Sequence, residues 1–355
     1  MWKDNSFIKK EYFRDIDLSD CFFDNLKKDY GGFQKWFNKK ANDGEIAFVS
    51  RERGVIDGFL YLKDEYEADT SIEPNFEKKR RLKVGTFKVD AHGTTLGENF
   101  IKLIVNQLYS GEYEEAYVTI FPKHSSLIEL LEKYGFIFYG IKATSIGDER
   151  VYVKKKFTNY GDIYLDYPII NLKNNKKFLL SIIPKYHSRL FPYSKLNTEK
   201  DYVMEDISYT NSIEKVYIAA MSGIRNISKD DLLIIYRTAE YGKLARYNSV
   251  ATSICTVVET KNIEDFANEA EFLDYCRKYS IFSNNELRYY WKTKKYPYII
   301  KMLYNIALNK RIVRDRLIKD VGLDENKYWG VLEVSDSELI KILELGEVDE
   351  SIIVN

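Results

Sequence analysis

Leu82-Lys83-Val84-Gly85-Thr86-Phe87-Lys88-Val89, then His92-Gly93-Thr94-Thr95-Leu96-Gly97, then Glu98-Asn99-Phe100: the reading of this stretch decides the fold of the 355-residue chain. Leu82 to Val89 reads as a strand, and Phe100, Leu103, Ile104 and Leu108 share one face of a helix from Glu98 to Tyr109. A strand that passes a Gly-containing turn to a helix N-terminus makes an anion site, because unpaired N–H groups and the positive dipole end both face the ligand. Gly93 and Gly97 carry no side chain to obstruct a pyrophosphate, and the hydroxyls of Thr94 and Thr95 add donors. Taken alone, the same loop also reads as an ordinary strand-to-helix turn.

Outward from the loop, apolar spacing predicts helices over 18–26 and 33–42, broken by Gly31-Gly32. Strands follow at 45–51 and 55–63. Beyond the loop come a strand at 116–121, a helix at 125–134 stopped by Gly135, and strands at 136–141 and 150–155. The polar run from Lys154 to Asp162 marks a domain boundary. The expected division is residues 1–156, a connecting segment 157–198, and a β-rich domain 199–355 with a helical insertion at 263–319.

Length and composition agree with two folded domains, since 45% of residues are hydrophobic and only 6 are proline. The 54 basic and 54 acidic residues cancel, which removes any global charge argument for nucleic acid or membrane. Cys21, Cys255 and Cys276 form neither a disulfide framework nor a metal pair, and three histidines leave little for a metal site. The expectation is a cytoplasmic protein with no membrane partner and no metal.

Gly85 to Phe100 resembles motif A of the GNAT N-acetyltransferases, in which a strand leads into Arg/Gln-x-x-Gly-x-Gly/Ala and a helix. His92 stands before the first glycine, Gly93 is that glycine, and Gly97 is the last; Thr95 replaces the middle one. His124-Ser125-Ser126-Leu127-Ile128-Glu129-Leu130-Leu131-Glu132-Lys133-Tyr134-Gly135-Phe136 resembles motif B, with His124 in place of Asn and Leu131 in place of Tyr. The resemblance implies an α+β fold, a mixed α/β sheet domain that takes acetyl-coenzyme A as co-substrate. The main chain of Phe87, Lys88 and Val89 would hold the pantetheine arm, and His92, Gly93, Thr94, Thr95, Leu96, Gly97, Glu98 and His124 would bind the cofactor. Tyr134, one turn beyond position 131, would protonate the departing thiolate, while a packed tyrosine is its plain alternative. Asp90, Glu98, Asp64 and Glu65 are unranked candidates for the base.

In the second half, strand-like runs lie at 216–220, 232–237, 250–259 and 328–334, and the first three, from Ile213 to Glu259, resemble the barrel strands of PUA-like (ASCH or EVE type) domains, which implies RNA or modified-base recognition. The segment from Pro184 to Pro192 is similar to one found where GNAT domains are fused to such barrels. Helical patterns lie at 263–278, 283–293 and 298–319. Residues 286–319 hold six lysines and four arginines against Glu286 and Asp315, interleaved with Tyr289, Tyr290, Trp291, Tyr296, Tyr298 and Tyr304. Cations beside flat rings grip phosphates and stack bases, so Lys292, Lys294, Lys295 and Arg237 are nucleic-acid candidates, with Tyr236 and Tyr247 beside a base pocket. Solvated basic helices are the alternative.

Three functions follow: an N-acetyltransferase whose second domain selects an RNA-linked acceptor such as aminoacyl-tRNA or a nucleoprotein amine; a non-catalytic GNAT fold in a nucleic-acid-binding protein; and a small-molecule amine acetyltransferase.

Overall fold

The computed structural model describes residues 8–90, 94–194 and 212–354, in two compact units, Met1–Asp166 and Tyr167–Asn355.

Unit 1 is built on an eight-stranded sheet of order β1-β2-β3-β5-β6-β8-β7-β4. Its strands are β1 (Lys9–Tyr12), β2 (Ile46–Glu52), β3 (Val55–Glu65), β4 (Ile72–Glu73), β5 (Arg81–Val89), β6 (Glu115–Ile120), β7 (Ile137–Thr144) and β8 (Gly147–Lys155). The helices are α1 (Asp24–Asp29), α2 (Phe33–Asn42), α3 (Leu96–Ser110) and α4 (Ser125–Lys133). Among the described residues of unit 1 only β5 and β6 pair in parallel, as a strand–helix–strand crossover through α3 requires. Against one face, Phe13, Phe23, Phe37 and Phe59 form an edge-to-face aromatic core with ring centroids 4.8 to 5.7 Å apart where Phe13 and Phe23 meet the others. Phe33 and Phe37, one turn apart on α2, supply its helical side.

Unit 1 extends beyond the expected boundary. The Asp166 carboxylate accepts from the N–H groups of Tyr160, Gly161 and Asp162, and Lys154 Nζ donates to the Leu165 carbonyl at 3.0 Å. These bonds fold the polar run back onto the unit.

Unit 2 holds a six-stranded mixed sheet of order β11-β14-β13-β12-β10-β15 and a small β9/β16 pair. The strands are β9 (Ile170–Asn171), β10 (Lys177–Ile182), β11 (Glu214–Ala219), β12 (Leu232–Arg237), β13 (Val250–Asn262), β14 (Tyr298–Val313), β15 (Val331–Val334) and β16 (Ile353–Val354). The helices are α5 (Pro184–Leu190), α6 (Ala245–Asn248), α7 (Glu269–Arg277), α8 (Asn284–Thr293), α9 (Arg314–Arg316) and α10 (Asp336–Leu345).

Three expectations for this half change. The stretch expected to be a connector contains β10, which pairs with β12 on one side and β15 on the other; its six residues are nearly all buried, so they carry no period-two alternation. The helical insertion does not reach 319, because Tyr298–Val313 is a 16-residue strand between β11 and β13. Its residues are mostly buried without period-two alternation, so neither periodicity nor length marked it as a strand. Among the described residues the sheet runs from β11 to β15 without closing, so the α+β class holds but the barrel does not. No helix among the described residues is long and apolar enough to cross a membrane.

Candidate active site

The register of β5 against β6 covers only Arg81–Val84 and Glu115–Val118, although β5 runs on to Val89 and β6 to Ile120. Past that point Thr86–Val89 keep a strand partner only on the β3 side, and Gly85 is the residue skipped in that pairing. A register shift in β3 between Tyr61 and Leu62 lies opposite the parting point. Gly85 is required there, since a Cβ would stand 2.8 Å from Tyr61 Cδ1. The parted strands offer backbone N–H and C=O groups to an extended, amide-bearing chain.

The freed end of β5 leads toward the N-terminus of α3. His92 and Gly93 lie outside the described residues. Phe87 packs its ring 5.6 Å from Phe100 of α3, which fixes the helix against the strand. Lys88 Nζ donates to the Phe22 carbonyl and pairs with Asp90 at 3.0 Å, and Val89 lies opposite Gly58. Leu96 N–H donates to Thr94 Oγ1 at 3.3 Å, so exposed Thr94 closes the turn that enters the helix, whose N-cap position is Thr95. Thr95 is 2% exposed and turns its side chain inward, contrary to the expected outward donor. Gly97 also has a different reason from the expected one: a Cβ there would meet Leu130 Cδ2 at 2.7 Å, so the glycine seats α3 against α4. Glu98 is buried, with Lys133 Nζ 3.9 Å away.

His124 is half-buried just before α4, and burial together with Lys123 lowers its pKa against the pull of Asp29. Its imidazole is therefore neutral near pH 7. Tyr134 is 0% exposed, its ring 6.2 Å from Tyr164 and 5.1 Å from Lys133 Nζ. That is the setting of a packing residue and not of a donor facing an open cleft, because a proton donor has to reach its acceptor. Of the base candidates, Asp64 and Glu65 sit opposite Leu82 and Arg81, at the end of β5 away from the loop. Their carboxylates accept from the hydroxyls of Tyr113 and Tyr117. Burial acts to raise Glu65, but the Tyr117 hydroxyl, Lys83 and Lys63 outweigh it and hold the group below its ordinary value.

Periodicity gave no signal for a cluster beside the splay. Tyr30, in the turn between α1 and α2, packs 5.4 Å from Phe121, the residue that continues β6, and its hydroxyl donates to Glu149 Oε1 of β8 at 3.4 Å. Asp29 pairs with Lys123 at 2.7 Å and fastens the same turn. Burial, then the charge of Glu149, push the Tyr30 pKa up, so it remains a donor.

In unit 2 the basic run does not form one strip, because α8 and β14 divide it. Lys301, Lys310, Lys319, Arg288 and Arg316 sit on Glu214, Glu347, Asp315, Glu269 and Asp320. Tyr290, Tyr298 and Tyr304 belong to the core. Lys294 lies 3.0 Å from the Trp291 ring centroid, while Lys292 and Lys295 are exposed. Arg237 is 3% exposed and donates to Glu240 at 3.1 Å; Tyr236 is buried against Trp329, and Tyr247 is exposed. The structure does not gather these three into an open base pocket. Among the described residues no group of histidine, cysteine or carboxylate side chains could hold a metal ion.

No protein family model matches the chain, and no curated protein matches it. Solved structures of similar fold include both families that the sequence resembles. A GNAT-family acetyltransferase from Streptococcus agalactiae is 16% identical, over 38% of this chain and 79% of its own, with a TM-score of 0.29. Chaetomium thermophilum Naa20, solved in complex with a bisubstrate analogue, is 13% identical over 42% and 86%, with a TM-score of 0.32. An ASCH protein from Zymomonas mobilis is 10% identical over 48% and 95%, with a TM-score of 0.30. Likeness at this level names no activity for the chain.

Proposed function

We propose that the chain is an acetyl-coenzyme A-dependent N-acetyltransferase that transfers the acetyl group to an amine. The observation that carries this is the parting of β5 from β6 directly before the N-terminus of α3. In this reading the pantetheine pairs with the main chain of Phe87, Lys88 and Val89, and the pyrophosphate lies on residues 92–98, with His124 at the rim. Direct transfer from thioester to amine then needs orientation and a polarising N–H more than a covalent nucleophile.

Thr94→Asp tests the cofactor site. Aspartate keeps an acceptor for Leu96 N–H and suits a helix N-terminus, so stability is expected to hold. Its charge would meet the pyrophosphate, and the acetyl-coenzyme A Kd is expected to rise at least about tenfold, near 1.4 kcal/mol. Calorimetric titration decides: unchanged affinity removes this loop from the site, and no binding by the wild type removes the acetyltransferase reading.

An RNA-linked acceptor has a narrower support, the exposed Lys292 and Lys295 at the C-terminal end of α8. It is tested by tRNA binding across a salt series. Replacing Lys292, Lys294 and Lys295 with alanine should lower the salt slope by about 2 to 3; an unchanged slope rejects RNA contact there.

A further inference from the structure

The residue opposite Ile120, the last of β6, is Arg150 of β8, and the next residue outward on β8 is Glu149. Alternation along β8 puts Glu149 on the same face as Val151, which opposes Thr119. The carboxylate thus stands just past the β6 lip of the splay, joined to it by the Tyr30 ring that bridges Phe121 and Glu149.

Glu149 is 7% exposed, yet no lysine, arginine or histidine among the described residues pairs with it. Lys142, its cross-strand neighbour, is taken by Asp69 at 2.9 Å, and Lys123 by Asp29. With no cation beside it, the carboxylate keeps acceptor capacity for a charge-assisted hydrogen bond from an incoming ammonium. Tyr30 supplies one hydroxyl at 3.4 Å, which orients the group without neutralising it.

We propose that Glu149 is the acceptor-binding carboxylate, and that the amine substrate is a primary ammonium compound with an apolar or aromatic neighbour to lie against Tyr30 and Phe121. Tyr30 is the positioning residue. The proposal rests on the acetyltransferase reading, since it is the transfer site in the splay that gives the ammonium a reason to dock here.

The full-length protein is titrated with 2-phenylethylammonium and with the uncharged 2-phenylethanol, with and without coenzyme A, and acetyl-coenzyme A binding is measured separately. The ammonium probe should bind the wild type and bind Glu149→Gln at least tenfold more weakly, whereas the alcohol should not distinguish them. Tyr30→Phe should weaken the ammonium probe by a few-fold. Glu149→Gln should melt no lower than the wild type, since the substitution removes an unpaired charge. Equal ammonium affinity in Glu149→Gln, or no ammonium binding by the wild type, overturns the assignment. Loss of acetyl-coenzyme A binding alone overturns the cofactor reading, and the probe titration without coenzyme A still reads Glu149.

Discussion

Gly135→Ala is expected to destabilise unit 1 by about 3 kcal/mol or more, one of the largest single-methyl effects this chain can show. α4 ends in a Schellman arrangement, with Gly135 N–H donating to the Glu132 carbonyl at 3.0 Å and Phe136 N–H to the Leu131 carbonyl at 3.0 Å. The turn holds Gly135 at φ +82°, a left-handed conformation that costs any side chain. Strain is only part of the effect. A Cβ would stand 2.1 Å from the Leu165 carbonyl oxygen and 2.7 Å from Lys154 Nζ, and the first of these is backbone that cannot swing aside. The alanine therefore has to push residues 162–166 off the unit or open the helix end. Urea unfolding of the full-length variant should show one transition moved and the other unchanged, matching the division into two units. A shift below about 1 kcal/mol would mean that the Leu165 segment does not pack on Gly135 in solution.

Gly135 was legible in the sequence because a helix stop is a local signal: glycine after an amphipathic run, followed by a large apolar residue. The same holds for the longer strands and helices of unit 1, whereas β1, with four residues, and β4, with two, are too short to show a period and are absent from the sequence reading. What the sequence hid is what depends on distant partners. β14 reads as a helix because it is buried on both faces, and the alternation that betrays a half-exposed strand is gone. The basic run from 286 to 319 looks like a phosphate-binding strip only until its carboxylates are found, and Glu214 and Glu347 come from elements far along the chain. Gly97 looked like a phosphate glycine, yet the atom that excludes a side chain belongs to Leu130 on another helix. Tyr30 and Glu149 are 119 residues apart, and neither lies in a motif; only the fold brings the phenol to the carboxylate.

The effect of Lys154→Met on stability should shift by about 3 kcal/mol between pH 6 and pH 9. Lys154 is 2% exposed, with Nζ donating to the carbonyls of Tyr134 at 2.9 Å and Leu165 at 3.0 Å. Burial lowers its pKa from 10.5 to about 7, with Asp166 opposing the shift in part. In the unfolded chain the amine holds its proton up to about pH 10.4. Below pH 7 both states are protonated, and the folded state bears the full cost of a buried ammonium. Between about 7 and 10 the unfolded state binds a proton that the folded state does not, so stability rises with pH, by about 1.4 kcal/mol per unit. From pH 6 to pH 9 the wild type should gain about 3 kcal/mol relative to Lys154→Met, which fills the same space and does not titrate. Methionine removes the two hydrogen bonds at every pH, a loss of about 2 kcal/mol that shifts the whole difference without altering its slope. The variant is thus nearest to the wild type, or above it, in acid and well below it in base. Paired urea titrations across that range measure the difference directly, and every other titrating group cancels between the two proteins. Parallel pH profiles would mean that the amine keeps its proton when the unit folds, and that the contact between Lys154 and residues 162–166 is wetter than its burial implies.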